Sequence, residues 1–243
     1  MFKVFKKSRR CNWRVTQIIL WYTVYCFAWV HFKLFYRIKV RGMENIPVEG
    51  PVLYVSNHQS FLDPLIIGVG TRPRPFVSLG RKTLFRNPIF GWMIRTARTI
   101  PIDQESPSDL SSMRTCLEVL KEGVTLLVFA EGSRTHTGKV ETFANGIAML
   151  MKRGNPLIVP VAIEGAYDVW PRKSKKPKLF GKVAVEFGKP RKSSEVLVGP
   201  VTESMERLRL EVEQMRQNLR QEMKLPDLPE IEESTEDDTV KAS

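Results

Sequence analysis

Cysteine and histidine are scarce in this 243-residue chain, with three of each. Cys11, Cys26 and Cys116 are odd in number and widely separated, with no C-x-x-C pair. That argues against a disulfide framework and a zinc site, and it reads as a reducing compartment. His31, His58 and His136 cannot build a site at normal ligand spacing, so neither a metal nor a cofactor is called for. Acids are also short, 26 against 38 Lys and Arg, which leaves a net charge of +12. No G-x-S-x-G elbow occurs, which argues against a serine hydrolase. No internal repeat is visible, and only one apolar run is long. With 42% hydrophobic and 26% charged residues, neither wholesale disorder nor a multi-span membrane protein fits.

What is present is unevenly placed. Residues 226–243 hold seven acids and one base, a −6 tail that leaves +18 on the remainder. Such a tail reads as solvated and disordered. Bases cluster at Lys3, Lys6, Lys7, Arg9, Arg10 and Arg14, and again from Arg172 to Lys192. Such a body attracts an anionic partner: nucleic acid, an acidic protein or a membrane surface.

Val15 to Phe32 carries no formal charge, and its strongly apolar centre runs from Ile18 to Val30. This falls between the roughly 20 residues of a spanning helix and the shorter runs that lie in an interface. Trp21, Tyr25, Trp29, Phe32 and Tyr36 recur at helical spacing, and Trp and Tyr favour the headgroup level. The segment therefore reads as a membrane-surface or shallowly inserted helix with its aromatic stripe at the headgroup level, the alternatives being a single span and a core helix of a soluble domain.

Beyond Arg41, short apolar runs alternate with helical stretches. Strands are expected at Val52–Ser56, Pro75–Leu79, Thr99–Asp103, Val124–Ala130, Leu157–Ile163 and Val183–Phe187. Helices are expected from Asp63, over Thr83–Arg98 with Pro88 at a break or first turn, over Pro107–Glu122, over Ile147–Arg153 and over Val201–Leu225. The alternation predicts an α/β fold, a mostly parallel central sheet flanked by helices, with an N-terminal membrane-associated helical segment.

Two polar groups follow strands directly. In Asn57-His58-Gln59-Ser60-Phe61-Leu62-Asp63, a carboxylate opening the next helix can turn back to the imidazole, fix its tautomer and leave the other nitrogen as a base. A chance histidine and a helix-capping aspartate have the same spacing. In Phe129-Ala130-Glu131-Gly132-Ser133-Arg134-Thr135, Gly132 permits close backbone approach and Arg134 offers a planar fork for phosphate or carboxylate. A third segment, Val159-Pro160-Val161-Ala162-Ile163-Glu164-Gly165, is by itself a bland core strand and turn.

Together and in this order, these blocks resemble the family of glycerolipid acyltransferases that make phosphatidic acid from lysophosphatidic acid, over about Val40 to Pro190. That family carries N-H-x-S-x-x-D, then F-P-E-G-[ST]-R-[ST], then V-P-[IV]. The resemblance implies His58 as catalytic base, Asp63 as its orienting partner, and Glu131, Gly132, Ser133 and Arg134 as acceptor-binding residues. Lys82 matches the lysine of an intervening block and joins the substrate-binding set. It also implies a lysophospholipid acceptor, acyl-CoA or acyl carrier protein as donor, and a phospholipid surface at the cytoplasmic face of a membrane. Two positions depart from the pattern. Ala130 stands for the family's proline. Gln104 stands where many relatives have an arginine for the acceptor phosphate, so Arg98, Arg95 or Arg81 would have to compensate or the acceptor would be another lysophospholipid. Backbone N–H groups of the His58 loop or around Lys82 would serve the oxyanion.

The expected organisation is a basic N-terminus and interface helix over 1–36, a catalytic domain over 37–225 and an acidic tail over 226–243. Two competing readings are a nucleic-acid binder, for which no zinc, RNA-recognition or helix-turn-helix signature is present, and a non-catalytic membrane adaptor.

Overall fold

The computed structural model describes residues 15–71, 74–96, 98–102 and 110–229. The basic cluster at 3–14, Gln104, the expected helix start at Pro107 and the acidic chain from Glu230 lie outside these residues.

The strands are β1 (Lys39–Arg41), β2 (Val52–Ser56), β3 (Phe76–Arg81), β4 (Ile100–Ile102), β5 (Thr125–Phe129), β6 (Leu157–Glu164), β7 (Ala184–Phe187) and β8 (Arg191–Lys192). They form one sheet in the order β1-β7-β6-β2-β5-β3-β4, with β8 beside β6. All pairs are parallel except β6–β7 and β6–β8. The helices are α1 (Val15–Phe35), α2 (Asp63–Gly70), α3 (Pro88–Thr96), α4 (Leu110–Lys121), α5 (Ile147–Gly154), α6 (Ala166–Val169), α7 (Ser193–Val196) and α8 (Val201–Glu222).

The central strands lack apolar–polar alternation because both faces are covered; every residue of β2 is buried. Ser56 pairs with Phe129 on one side and Val161 on the other. The loops that follow β2 and β5 therefore leave the same edge of the sheet side by side, where ligands of open α/β sheets collect.

Several boundaries differ from the sequence expectation for local reasons. The helix expected over Thr83–Arg98 divides into a 3₁₀ turn, Lys82–Arg86, and α3. Pro88 opens α3, where its missing N–H costs no hydrogen bond. Asn155 at φ 43° makes the left-handed cap of α5, and Gly154 is the last residue of that helix. β1 and β8 are too short to register as periodicity. On α8, Met205, Leu208, Val212 and Leu219 are buried, while Met215 is only partly so. The packed chain also continues past residue 225: Leu228 is buried, and the Pro226 carbonyl accepts the Arg220 Nε–H at 2.8 Å.

The structure reverses the aromatic stripe of α1. Trp21, Tyr25, Phe32 and Tyr36 face the domain together with Ile18 and Ala28, and only Trp29 of the stripe is exposed. The outward face is apolar too: Val15, Ile19, Phe27, Val30 and Leu34 are all exposed. A helix apolar all round is buried or meets lipid. Here the protein core covers one side, and Trp21 packs edge-on against Phe76 of β3, ring centroids 4.9 Å apart.

Gly68 of α2 lets α1 dock. A Cβ there would come within 1.6 Å of the Tyr25 ring. Gly68→Ala is therefore expected to cost about 1–3 kcal/mol, as other overpacked sites do. It should also speed tryptic cleavage at the exposed Arg37 beside the α1 end. Unchanged denaturation midpoint and cleavage rate would show that α1 is not seated as described.

Candidate active site

β2 ends at Ser56, and side-chain hydrogen bonds of Asn57, Gln59, Ser60 and Asp63 hold the loop that follows. Asn57 Nδ2 donates to the Ile163 carbonyl at 3.0 Å, and its Oδ1 accepts the Ile163 N–H at 2.8 Å, pinning the loop to β6. Gln59 Nε2 donates to the Gly138 carbonyl at 2.8 Å, and its Oε1 accepts the Tyr167 N–H at 3.2 Å. Ser60 Oγ donates to the Trp170 carbonyl at 3.1 Å. The role of Gln59 is not visible in the sequence, and Asn57 stands out there only as the first residue of the motif; the one further signal is that both are polar at the end of a buried, mostly apolar strand.

This frame presents His58 and Asp63 to each other. His58 Nδ1 lies 2.7 Å from Asp63 Oδ2. The same Oδ2 accepts the N–H groups of Gln59 at 2.6 Å and Ser60 at 2.8 Å. Asp63 is fully buried, whereas the His58 side chain remains 19% exposed. A carboxylate that is dry and fixed by two amides holds the imidazole in one tautomer, Nδ1–H, and leaves Nε2 as the free base. The ring is stacked on Phe129 with centroids 4.0 Å apart, which sets its plane.

The second loop locks onto the first. The Ala130 N–H donates to the Ser56 carbonyl at 2.9 Å, a bond that the family's proline could not make. The His58 N–H donates to Glu131 Oε1 at 2.9 Å, and the Thr135 N–H donates to the His58 carbonyl at 2.8 Å. Gly132 sits at φ 72°, a conformation that favours glycine. Four of the His58-loop amides are thus already used: His58 by Glu131, Gln59 and Ser60 by Asp63, and Leu62 by Ser60 Oγ. These four are not free for an oxyanion.

Burial pushes the Glu131 carboxyl up to about 8, with the His58 N–H opposing and the charges of Glu141 and Asp63 adding to it. Above the ordinary value of 4.5, the native protein thus retains a proton that the unfolded chain has lost. Its contribution to stability is complete below 4.5 and is lost as pH rises through about 8. Glu131→Gln should flatten this loss. Thermal melts between pH 5 and pH 9 should converge in acid and separate in base, with wild type the lower; parallel curves would refute the assignment.

Arg134 reaches the mouth of this site. Its guanidinium lies 3.6 Å over the Phe61 ring, and its buried Nη1 has no hydrogen-bond partner. Arg172 Nη1 donates to the Arg134 carbonyl at 3.1 Å and to Ser133 Oγ at 3.4 Å, and lies 3.0 Å from His136 Nε2. Burial first, then the Arg172 charge and more weakly Arg81, pull Arg134 below its ordinary value, while Asp63 opposes them. This is a cationic mouth suited to an anion. Arg172 opens the basic cluster that runs to Lys192, and nothing local signals that it turns inward. Of the three arginines considered as compensating for Gln104, Arg98 pairs with Glu122 at 3.2 Å and Arg95 bonds the Phe85 carbonyl at 3.0 Å. Arg81 is the one whose charge reaches Arg134. Lys82 is exposed at the start of its 3₁₀ turn.

Together, a carboxylate-held histidine and a cationic mouth at the edge of a parallel sheet suit group transfer to an anionic acceptor. Residues 37–164, just over half of the chain, match the Acyltransferase family model, and the chain belongs to that family. It is 32% identical over 158 residues to the 1-acyl-sn-glycerol-3-phosphate acyltransferase LPAT1, chloroplastic, of Arabidopsis thaliana, covering 64% of this chain and 44% of that protein. It thus spans less than half the length of this plant relative. It is 28% identical over 184 residues to the 1-acyl-sn-glycerol-3-phosphate acyltransferase of Bacillus subtilis, covering 76% of this chain and 87% of that one. Its fold matches the crystal structure of the 1-acyl-sn-glycerophosphate acyltransferase PlsC from Thermotoga maritima with a TM-score of 0.70 at 24% identity, over 82% of this chain and 80% of that one.

Proposed function

We propose that this protein is a membrane-associated O-acyltransferase that moves a fatty acyl group from a thioester to the sn-2 hydroxyl of lysophosphatidic acid, giving phosphatidic acid. The observation that carries this reading is the His58–Asp63 pair: Nδ1 held at 2.7 Å by a fully buried carboxylate, with Nε2 left open. No nucleophilic serine or cysteine is required, because the attacking oxygen belongs to the acceptor. His58 Nε2 takes the hydroxyl proton as that oxygen forms a bond to the thioester carbonyl carbon. The tetrahedral oxyanion then collapses, the C–S bond breaks, and the imidazolium returns the proton to the leaving sulfur.

Arg134 is the phosphate contact in this scheme, with Ser133 and the Glu131–Gly132 turn beside it. Arg172 adds charge behind Arg134. With those four His58-loop amides occupied, the oxyanion is served by the Phe61 N–H of that loop or by the turn at Lys82. The proposed organisation keeps an N-terminal membrane helix, a catalytic body and an acidic tail.

α1, 21 residues and about 30 Å long, could cross a bilayer by length. Its inner face is buried on the domain from Ile18 to Phe32, so a perpendicular span would drag the domain into lipid. The geometry therefore favours a helix lying in the interface with its exposed apolar face in the lipid, and the proposal sets that interface at the cytoplasmic side.

The test is a matrix of lysophospholipid acceptors against acyl-CoA and acyl carrier protein donors, with His58→Ala as the blank. Lysophosphatidic acid should be the best acceptor, with free thiol released in step with phosphatidic acid. A preference for a phosphodiester head group would move the chain to another lysophospholipid, and no thiol release with any pair would reject the reading. The donor is settled by the same matrix.

A further inference from the structure

We propose that the loop over residues 173–180 is a second membrane contact, a basic and apolar wedge that presses the active-site mouth against an anionic bilayer. The inference rests on the acyltransferase reading for its purpose but on separate residues for its structure. Tertiary contacts sort the basic cluster into different tasks. Arg172 turns to Ser133 and Arg134, Lys182 Nζ donates to the Met223 carbonyl at 2.7 Å, and Arg191 pairs with Glu211. Lys173, Lys175, Lys176 and Lys178 stay exposed, and among the described residues none is paired with an acid. They share their loop with Leu179 and Phe180, which are 64% and 65% exposed. Two large apolar side chains among four unpaired lysines have no reason to lie in water, and they fit a surface with anionic heads over an acyl layer.

The wedge is continuous with α1 and with the mouth. Phe180 is stacked on Phe35 of α1 with centroids 5.8 Å apart. Tyr36 Oη donates to the Lys178 carbonyl at 3.0 Å, and the Gly181 N–H donates to the Phe35 carbonyl at 3.1 Å. At its other end, Trp170 Nε1 donates to the Ser174 carbonyl at 3.0 Å, and the Trp170 ring lies 5.4 Å from Phe61, the ring beneath Arg134. Direct contacts thus link the end of α1 at Phe35 and Tyr36 through Phe180 and Trp170 to Phe61, with Leu179 and Phe180 exposed along the way. An acidic carrier protein would satisfy the lysines but leave that apolar strip wet, so the bilayer is the better fit.

The test uses the full chain with Leu179→Cys carrying an environment-sensitive fluorophore, Cys11, Cys26 and Cys116 being replaced by serine. It is added to vesicles of phosphatidylcholine alone or mixed with phosphatidylglycerol, each bearing a lipid-attached quencher. Quenching is expected in the anionic vesicles. The quadruple variant K173Q/K175Q/K176Q/K178Q should lower the docked fraction relative to the undocked by on the order of 10³-fold, as four surface charges at about 1 kcal/mol each would. With unlabelled protein, that variant should raise KM for a long-chain acceptor in anionic vesicles while leaving kinetics on a short-chain, water-soluble acceptor unchanged. A probe that stays in water with both vesicle types overturns the proposal, as does one that responds to acyl carrier protein and not to vesicles. If no acceptor is turned over, the acyltransferase reading fails, while the quenching result still decides the wedge.

Discussion

His58→Ala should lower turnover by about 10²–10⁴-fold, the range for loss of a positioned general base. The protein should stay folded and remain on membranes. The local structure does not depend on the imidazole: the backbone N–H and C=O of His58 are bonded to Glu131 and Thr135, and Asn57, Gln59 and Ser60 hold the rest of the loop. Asp63 Oδ2 keeps the Gln59 and Ser60 amides after the ring is gone. What is lost is the single open nitrogen at the mouth. Thiol release from the donor thioester, with circular dichroism as the folding control, measures this. Turnover near wild type would show that the acceptor hydroxyl is deprotonated elsewhere, and the mechanism would fall.

Glu164→Ala should be the most damaging single change to stability, at about 3–5 kcal/mol. Glu164 is fully buried at the end of β6. Its Oε1 accepts the Gly165 N–H at 2.6 Å and Arg220 Nη1 at 2.7 Å, and its Oε2 accepts from Arg216. Arg216 also bonds Glu213, and Arg220 reaches Asp168 at 2.9 Å, so one network ties α8 to the sheet. Removing the central carboxylate leaves two buried guanidiniums short of an acceptor. A loss of that size is a large share of the roughly 5–15 kcal/mol that holds a typical domain together. The comparison is Glu203→Ala, whose partner Arg207 lies 3.9 Å away with both side chains well exposed. That variant should shift the urea midpoint little, since exposed pairs are worth about 0–1 kcal/mol. Equal shifts in the two variants would remove burial as the explanation.

The contrast between these sites shows where the sequence could be read. The strands at Val52–Ser56 and Thr125–Phe129 are local patterns that need only apolar runs bounded by breakers, and the polar clusters after them stand out for that reason. Spacing allowed His58 and Asp63 to meet, because a helix start turns its first carboxylate back over the preceding loop, and the resemblance singled them out from a chance pair of the same spacing. Glu164 gave no such signal: its partners lie 52 and 56 residues away on another element.

Local chemistry in the sequence by itself determined the α/β alternation, the polar loops at strand ends, the uncharged N-terminal helix and the surplus of basic residues. Only the tertiary structure decided which side of each feature faces what. It turned Trp21, Tyr25, Phe32 and Tyr36 inward and left Phe27 and Leu34 outward. It occupied four of the His58-loop amides, recruited Arg172 to Ser133 and Arg134, and left four exposed lysines apart from the rest of their cluster. The physical reason is that periodicity reports that a face is apolar, and spacing reports that two neighbours can meet. Neither reports which distant surface arrives to cover the face or to occupy the donor, because that depends on how the sheet brings remote segments together.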